Sequence, residues 1–461
     1  MVALETEESG SGSLKHGALE SREQWEPKRD AGALVVLESK GSWQHVGFHL
    51  TASIAGPPIL TFPFAFAALG WAWGMIALVS AGVVTFYSYN LLSLILEHRA
   101  AQGRRHVRFR DLATDILGPK LSYGLVYPMQ FVVCLGAVIS IVLVGGISAK
   151  VVYKVYYPDG DLQLYQFVVF FGAATMIMGQ LPSFHSLRYV NLLSLLMCLT
   201  YSFTITGACI QLGYSDRAPP RDYSLPGSEK QQAFAAFNAL ALIATAYGNS
   251  IIPETQATLA PPVEGKMFKG LAMAYSVIVV TFLPVAIAGY WTFGNLSAPS
   301  VFTNFQTADG TLLVSKWLIV MPSSMCVIQL ISAAIIYSQP TFDLFERKIA
   351  DVDKDRFTAR NGIPRVIVRV VFLALVTLIA AMFPFFGDVN AIVGSFGFTP
   401  LDFVFPMVFY ILVFKPPKRS IKFWGNLIII IVYSLVGLAG AVAAVRQLIL
   451  DTSYYKLFAD V

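Results

Sequence analysis

Charge is what this chain has least of. Aspartate, glutamate, lysine and arginine make up 13% of its 461 residues, about half of the ~25% usual in soluble domains. That shortage excludes a globule covered by water on every side. Cysteine and histidine are scarce as well: Cys134, Cys198, Cys209 and Cys326 stand singly in apolar stretches, and the six histidines do not cluster. Neither a disulfide framework nor a zinc site is supported, and no cofactor is implied. The net charge of +5 is gathered in a few short loops, which suits orientation in a membrane and not nucleic-acid binding. No cleavable leader is expected in the first forty residues either. Residues 1–40 are polar and mixed in charge, with ESGSGSLKHG near the start, and are expected to form a disordered cytosolic tail. The first apolar run begins only after Gly41, so the first membrane segment must itself direct insertion.

Hydrophobic residues, by contrast, make up 56% of the chain. A hydrocarbon core ~30 Å thick needs about 20 apolar residues per helix. Windows of that size predict an all-α polytopic membrane protein with eleven segments, at 43–69, 71–96, 123–153, 164–181, 189–212, 232–260, 268–293, 312–338, 364–385, 388–413 and 422–448. Between the second and third, RRHVRFRDLATDIL alternates charge with Val107, Phe109, Leu112 and Ile116, a pattern that suits a helix on the membrane surface. Arg99, Arg104, Arg105, Arg108, Arg110 and Lys120 follow the second segment, Arg347, Lys348, Lys354, Arg356, Arg360 and Arg365 the eighth, and Lys415, Lys418, Arg419 and Lys422 the tenth. The positive-inside rule places all three loops in the cytosol, with the N-terminus inside and the C-terminus outside. The loop 294–311 has no Lys or Arg and falls outside, where Asn295 of the Asn295-Leu296-Ser297 triplet is a candidate for glycosylation.

Two segments carry residues that an unbroken helix avoids. In SIAGPPILTFPFAF, residues 53–66, the run Ala55, Gly56, Pro57, Pro58 interrupts the first; in ALIATAYGNSIIPETQATLAPP, Tyr247, Gly248, Asn249 and Ser250, then Pro253, interrupt the sixth. Breaks of this kind are tolerated at membrane depth where they line a cavity or are buried in protein. They lie five segments apart, and five is odd, so a repeated block of five would sit inverted. Paired breaks at corresponding places of two such halves mark a transporter's binding site. A helix restarting at Pro57 offers amide donors, those of Gly56, Ile59 and Leu60, to a carboxylate. The first half of the sixth segment ends in carbonyls near Thr245, Ala246 and Tyr247 that suit an ammonium, with Tyr247 and Asn249 as side-chain candidates. The pair therefore describes a pocket for a small zwitterion. Gln130 and Cys134 on the third segment, and Gln329, Ser332 and Ala333 on the eighth, are candidates to complete it; polar glue between helices is the alternative for each.

Ionisable residues within the segments are functional candidates by default. Glu254 follows the sixth-segment break and suits a coupling proton, a gate or a structural tie. For His49 the alternatives are a packed, hydrogen-bonded ring and a proton relay; for Asp402, in FTPLDFVFP, they are structural pairing with a hydroxyl and coupling.

The stretches GSWQHVGFHLTASIAGPPILTFPFAF, LPSFHSLRYVNLLSLL, YGNSIIPETQATLAPPVEGKMFKG, PFFGDVNAIVGSFGFTPLDFVFP and the terminal YKLFADV resemble the plant gamma-aminobutyric acid (GABA) transporter branch of the amino acid/auxin permease family, from about Asp30 onward. The resemblance implies a proton-coupled symporter of the plasma membrane, with a LeuT-like five-plus-five inverted-repeat fold and broken helices one and six. One transmembrane domain, 41–461, would then hold repeats at 43–212 and 232–413 and an extra helix at 422–448. By position, Ala55 to Pro58 and Tyr247 to Ser250 would hold substrate. The run TAYGNS differs from the histidine-containing stretch usual in other branches, which argues against histidine-based coupling there. Substrate and proton would be its partners, with membrane lipid around it and the oligomeric state open. The alternatives are carriage of proline, betaine or neutral alpha-amino acids, or a non-transporting amino acid sensor, a reading weakened by the lack of a large output domain. A membrane enzyme is disfavoured, because no nucleophile or metal-spaced motif lies in the segments.

Overall fold

The computed structural model describes residues 41–180, 188–260, 262–307, 310–349, 351, 354, 358–452 and 457–458; the expectation of a disordered tail over 1–40 lies outside them. Among the described residues the chain is all-helical, and its only strand-like pairings are two isolated bridges, Gly41 with Leu259 and Gln306 with Leu312.

Helix α1, Trp43–Ile54, starts from a capping box in which Ser42 Oγ accepts from the His45 amide. It stops where the sequence said it must. Ala55, at φ −75° and ψ 67°, forms an inverse γ-turn whose Gly56 amide donates to the Ile54 carbonyl at 2.7 Å. The chain resumes as a 3-10 turn, Pro57–Thr61, and runs into α2, Phe62–Ala101. Gly70, at φ 72°, bends α2 sharply, so its first turns complete the first segment and the remainder is the second.

There follow α3, Phe109–Leu117; α4, Tyr127–Tyr156; α5, Leu164–Met178; and α6, Arg188–Gly213. The sixth segment is α7, Glu229–Tyr247, capped by Ser228, then an extended gap, then α8, Ile252–Ala257, with Pro253 in its first turn, where a missing amide costs least. After these come α9, Lys266–Phe293; α10, Lys316–Ile349; and α11, Ala359–Met382. Next, α12, Phe386–Val393, passes through a wide-pitched stretch, Gly394–Val404, into α13, Phe405–Phe414, and the chain closes with α14, Ile421–Thr452.

Among the described residues nine helical stretches are long and apolar enough to cross a membrane. The difference from the eleven segments expected has two physical causes. The break leaves α1 with only 12 residues and joins the rest of the first segment to the second as one stretch, Pro58–Ala101, and α5 has only 15 residues.

Helix α3 departs from expectation. It does not lie with its apolar face toward lipid: Phe109, Arg110, Leu112 and Ala113 are buried, and the helix packs on α8 and α13. The arginines around it act locally. Arg108 forms a forked pair with Asp343 of α10, at 2.5 and 2.7 Å, and Arg110 pairs with the same carboxylate. On the same face the Gly41 amide donates to the Thr258 carbonyl. On the opposite face the Asn295 amide donates to the Asp222 carbonyl and the Phe458 amide to the Met382 carbonyl. The Arg-rich loops thus share one face, and the 294–311 loop and residue 458 share the other.

Candidate functional site

The two breaks face each other across Tyr337, and a small cavity of about 30 Å³ lies against the first of them, reaching Thr245 just before the second. It is lined by Ser53, Gly56, Ser140, Thr245, Tyr337 and Asn390, among others. That volume holds about two waters.

The polar groups at the breaks are tightly committed. On the α1 side, the Gly56 amide bonds to Ile54 and the Ile59 amide to the Gly56 carbonyl. Two donors that the sequence offered to a ligand are therefore occupied within the turn. The Ala55 carbonyl accepts from Gln329 Nε2 at 3.1 Å and from Cys198 Sγ, and the Leu60 carbonyl from the Val301 amide of the 294–315 loop. Ile59 and Leu60 place their side chains in the apolar core. On the α7 side, Tyr89 Oη donates to the Tyr247 carbonyl at 2.8 Å. Tyr337 Oη lies 3.1 Å from the Ser53 carbonyl and 3.2 Å from that of Gly248, so one hydroxyl spans both breaks. Bare carbonyls in a dry interior are costly; tyrosine hydroxyls meet that need here, and each carbonyl keeps a second lone pair.

Gly56 lines the small cavity. A Cβ built there would meet nothing closer than 3.7 Å, whereas one on Gly248 would fall 2.1 Å from the Phe398 ring. Gly56 therefore leaves room in the cavity, and Gly248 lets an aromatic wall close against the backbone.

Asp402 organises the second break. Its carboxylate accepts from the amides of Asn249 at 3.1 Å and Ser250 at 2.9 Å, and from Ser250 Oγ at 2.9 Å. Ser250 has φ 50°, a left-handed conformation that a non-glycine residue holds only when its surroundings impose it. The Asn249 side chain is fully buried, and neither its Nδ2 nor its Oδ1 has a partner among the described residues.

Glu254 lies past the break. Its Oε1 accepts from the Phe109 amide and from Gln130 Nε2, both at 3.1 Å, while Oε2 is buried without a partner among the described residues. Gln130 is thus turned toward Glu254 and the Ser250 carbonyl, and Cys134, one turn along α4, is buried. His49 Nδ1 lies 3.0 Å from Asn191 Nδ2, and Asn191 Oδ1 accepts from Ser332 Oγ at 3.1 Å. His49 and Ser332 are therefore parts of a tie between α1, α6 and α10. Asn295 sits half-buried in a 3-10 turn on the face opposite the Arg-rich loops.

Sequence reasoning missed Tyr337, Asn390 and Ser140, and named Thr245 only for its carbonyl. Asn390 matters most: its Oδ1 accepts from Ser140 Oγ at 2.7 Å, its carbonyl accepts from Thr245 Oγ1, and its Nδ2 is buried, lines the cavity and has no partner among the described residues. Its signal lay in PFFGDVNAIVG, an amide in an apolar helix, which reads as polar glue until its neighbours are known.

Residues 39–450 match the transmembrane amino acid transporter protein family. Among curated relatives, GABA transporter 1 of Arabidopsis thaliana is 51% identical over 94% of this chain and 96% of its own. Lysine histidine transporter-like 6 of the same plant is 30% identical over 90% and 93%. Among solved structures, a Na⁺-coupled sialic acid symporter in a substrate-bound outward-open state shares the fold at a TM-score of 0.52 over 94% of each chain, with 10% identity.

Proposed function

We propose a specific activity for this chain, which belongs to the transmembrane amino acid transporter family and is a transporter and not an enzyme. It imports GABA and related small zwitterionic amino acids across the plasma membrane as a proton-coupled symporter that works by alternating access. The observation that carries this reading is the pair of apposed helix breaks beside one small cavity, in a chain half identical to a protein named for GABA transport.

In this reading eleven segments span the membrane. Two inverted repeats, 43–212 and 232–413, are followed by an extra helix, 422–448, and the Arg-rich face is cytosolic. The substrate carboxylate is met at the first break, where Gly56 leaves room and Asn390 Nδ2 supplies a donor. The ammonium end lies toward the second break, where the Tyr247 and Gly248 carbonyls and Asn249 Oδ1 are acceptors. A cavity of about 30 Å³ does not hold an amino acid, so the breaks must part to admit one; movement of broken helices about a fixed site is the ordinary device of such folds.

Glu254 carries the coupling proton. Adding a proton to Oε2 leaves both hydrogen bonds on Oε1 in place, so the group can change charge without releasing Phe109 or Gln130. Asp402, with three donors on its carboxylate, positions the break, and His49 holds α1 against α6.

Uptake of labelled GABA by cells expressing the chain, with proline, betaine and alanine as competitors at acid external pH, tests the substrate. GABA and its ω-amino homologues should compete best. Stronger competition by proline or alanine would move the substrate to another class, and binding without accumulation would favour a sensor.

A further inference from the structure

A second cavity, largely apolar with a few buried polar groups, lies away from the breaks, on the face that carries the 294–315 loop. It measures about 260 Å³, and its walls include Phe64, Asn238, Ser300, Phe386, Asp388 and Asp451. Asp388 and Ser300 are each 5% exposed and Asn238 is 9% exposed. Asp388 Oδ2, Ser300 Oγ and Asn238 Oδ1 have no hydrogen-bond partner among the described residues. Asp451 is paired side chain to side chain with Asp388 and accepts from Gln447 Nε2 at 3.0 Å. No Lys or Arg lines the cavity among the described residues. Pro299 and Thr303, exposed at its rim, leave it open toward the loop side.

Buried polar atoms left without partners call for an explanation, and two carboxylates side by side repel unless a proton or a cation lies between them. The atoms left over are three oxygens from three different elements. An ammonium group carries three N–H donors and no acceptor. The Phe64 and Phe386 side chains add an aromatic, apolar wall suited both to a methylene chain and to a cation near a ring. A metal ion fits less well, since no cluster of three or more His, Cys, Asp or Glu that would hold one occurs among the described residues.

We infer that this cavity is a binding site for the ammonium end of an alkylamine, separate from the helix breaks and indifferent to whether the ligand has a carboxylate. The inference does not depend on which amino acid is transported.

The test is calorimetry on the purified full-length chain in nanodiscs, with n-butylamine as the probe and butyrate as the control. Butylamine should bind with one site per chain, and butyrate should not bind. Asp388→Asn should weaken butylamine at least tenfold, and Gly56→Leu should change it less than twofold. Asp451→Asn, expected to weaken it in the same direction, serves if Asp388→Asn does not purify folded. Absence of butylamine binding would mean that the two carboxyls share a proton and take no amine. Binding unaffected by either aspartate variant, or abolished by Gly56→Leu, would place the amine elsewhere. Each of these results overturns the inference.

Discussion

Removing the Asp402 carboxylate should loosen the second break by an amount that the structure allows to be worked out. In Asp402→Ala the amides of Asn249 and Ser250 and the Ser250 hydroxyl lose their acceptor at once, in a site that is 0% exposed at Asp402, Asn249 and Ser250 alike. Each orphaned donor costs about 1–3 kcal/mol, so the variant should lose roughly 3–9 kcal/mol. For 461 residues the entropy of unfolding scales to on the order of 1 kcal/mol/K, so the midpoint should fall by about 3–9 °C. The chain supplies its own probe: all four cysteines are free and buried, so a thiol-reactive dye reports unfolding in detergent. Ser250→Gly in the same background should restore about 1–2 kcal/mol, because glycine accepts the φ of 50° without strain and brings no orphaned hydroxyl. An unchanged midpoint in Asp402→Ala, or a double variant no more stable than the single one, would refute the claim that this carboxylate holds the break.

The remaining predictions concern the site and its supports. Gly56→Leu should abolish uptake while surface expression persists, because its side chain fills the small cavity that Gly56 lines; normal uptake would move the substrate site elsewhere. Glu254→Gln keeps an acceptor for Phe109 and Gln130 but cannot change charge, so substrate binding should survive while the acid stimulation of uptake flattens. A pH profile identical to wild type would leave Glu254 a structural role. Asp343→Ala takes away the carboxylate that Arg108 and Arg110 share, both about nine-tenths buried or more, and leaves Arg108 its pair with Asp111 and Arg110 the Pro340 carbonyl; it should cost roughly 3 kcal/mol, read by the same thiol assay, and a loss under ~1 kcal/mol would show that the pairs are replaceable by solvent.

The backbone was the legible part of this protein. Gly and Pro act through rules that need no neighbours: Ala55-Gly56-Pro57 had to end one helix and begin another, and Gly248 followed by Pro253 had to do the same. The bounds of α1 and α7, at Ile54 and Tyr247, follow from that alone. Side-chain partnerships were not legible, because they join residues far apart in sequence. Nothing in YNLL or AIIYSQP says that Tyr89 and Tyr337 will reach the carbonyls of Tyr247 and Gly248, and Asn390 acquires meaning only beside Ser140 and Thr245. The arginines near α3 were read through the positive-inside rule, which sees charge and loop length but not the aspartate on α10 that buries Arg108.

The central claim is that apposed breaks form the seat of a proton-coupled carrier for small zwitterions. The most direct measurement uses proteoliposomes holding a pH-sensitive dye inside, with no pH gradient imposed and the membrane potential clamped negative within. Adding GABA outside should acidify the lumen of wild-type vesicles, and the signal should be missing from both Gly56→Leu and Glu254→Gln vesicles. GABA accumulation without any lumenal acidification, or acidification that persists in Gly56→Leu, would contradict the account.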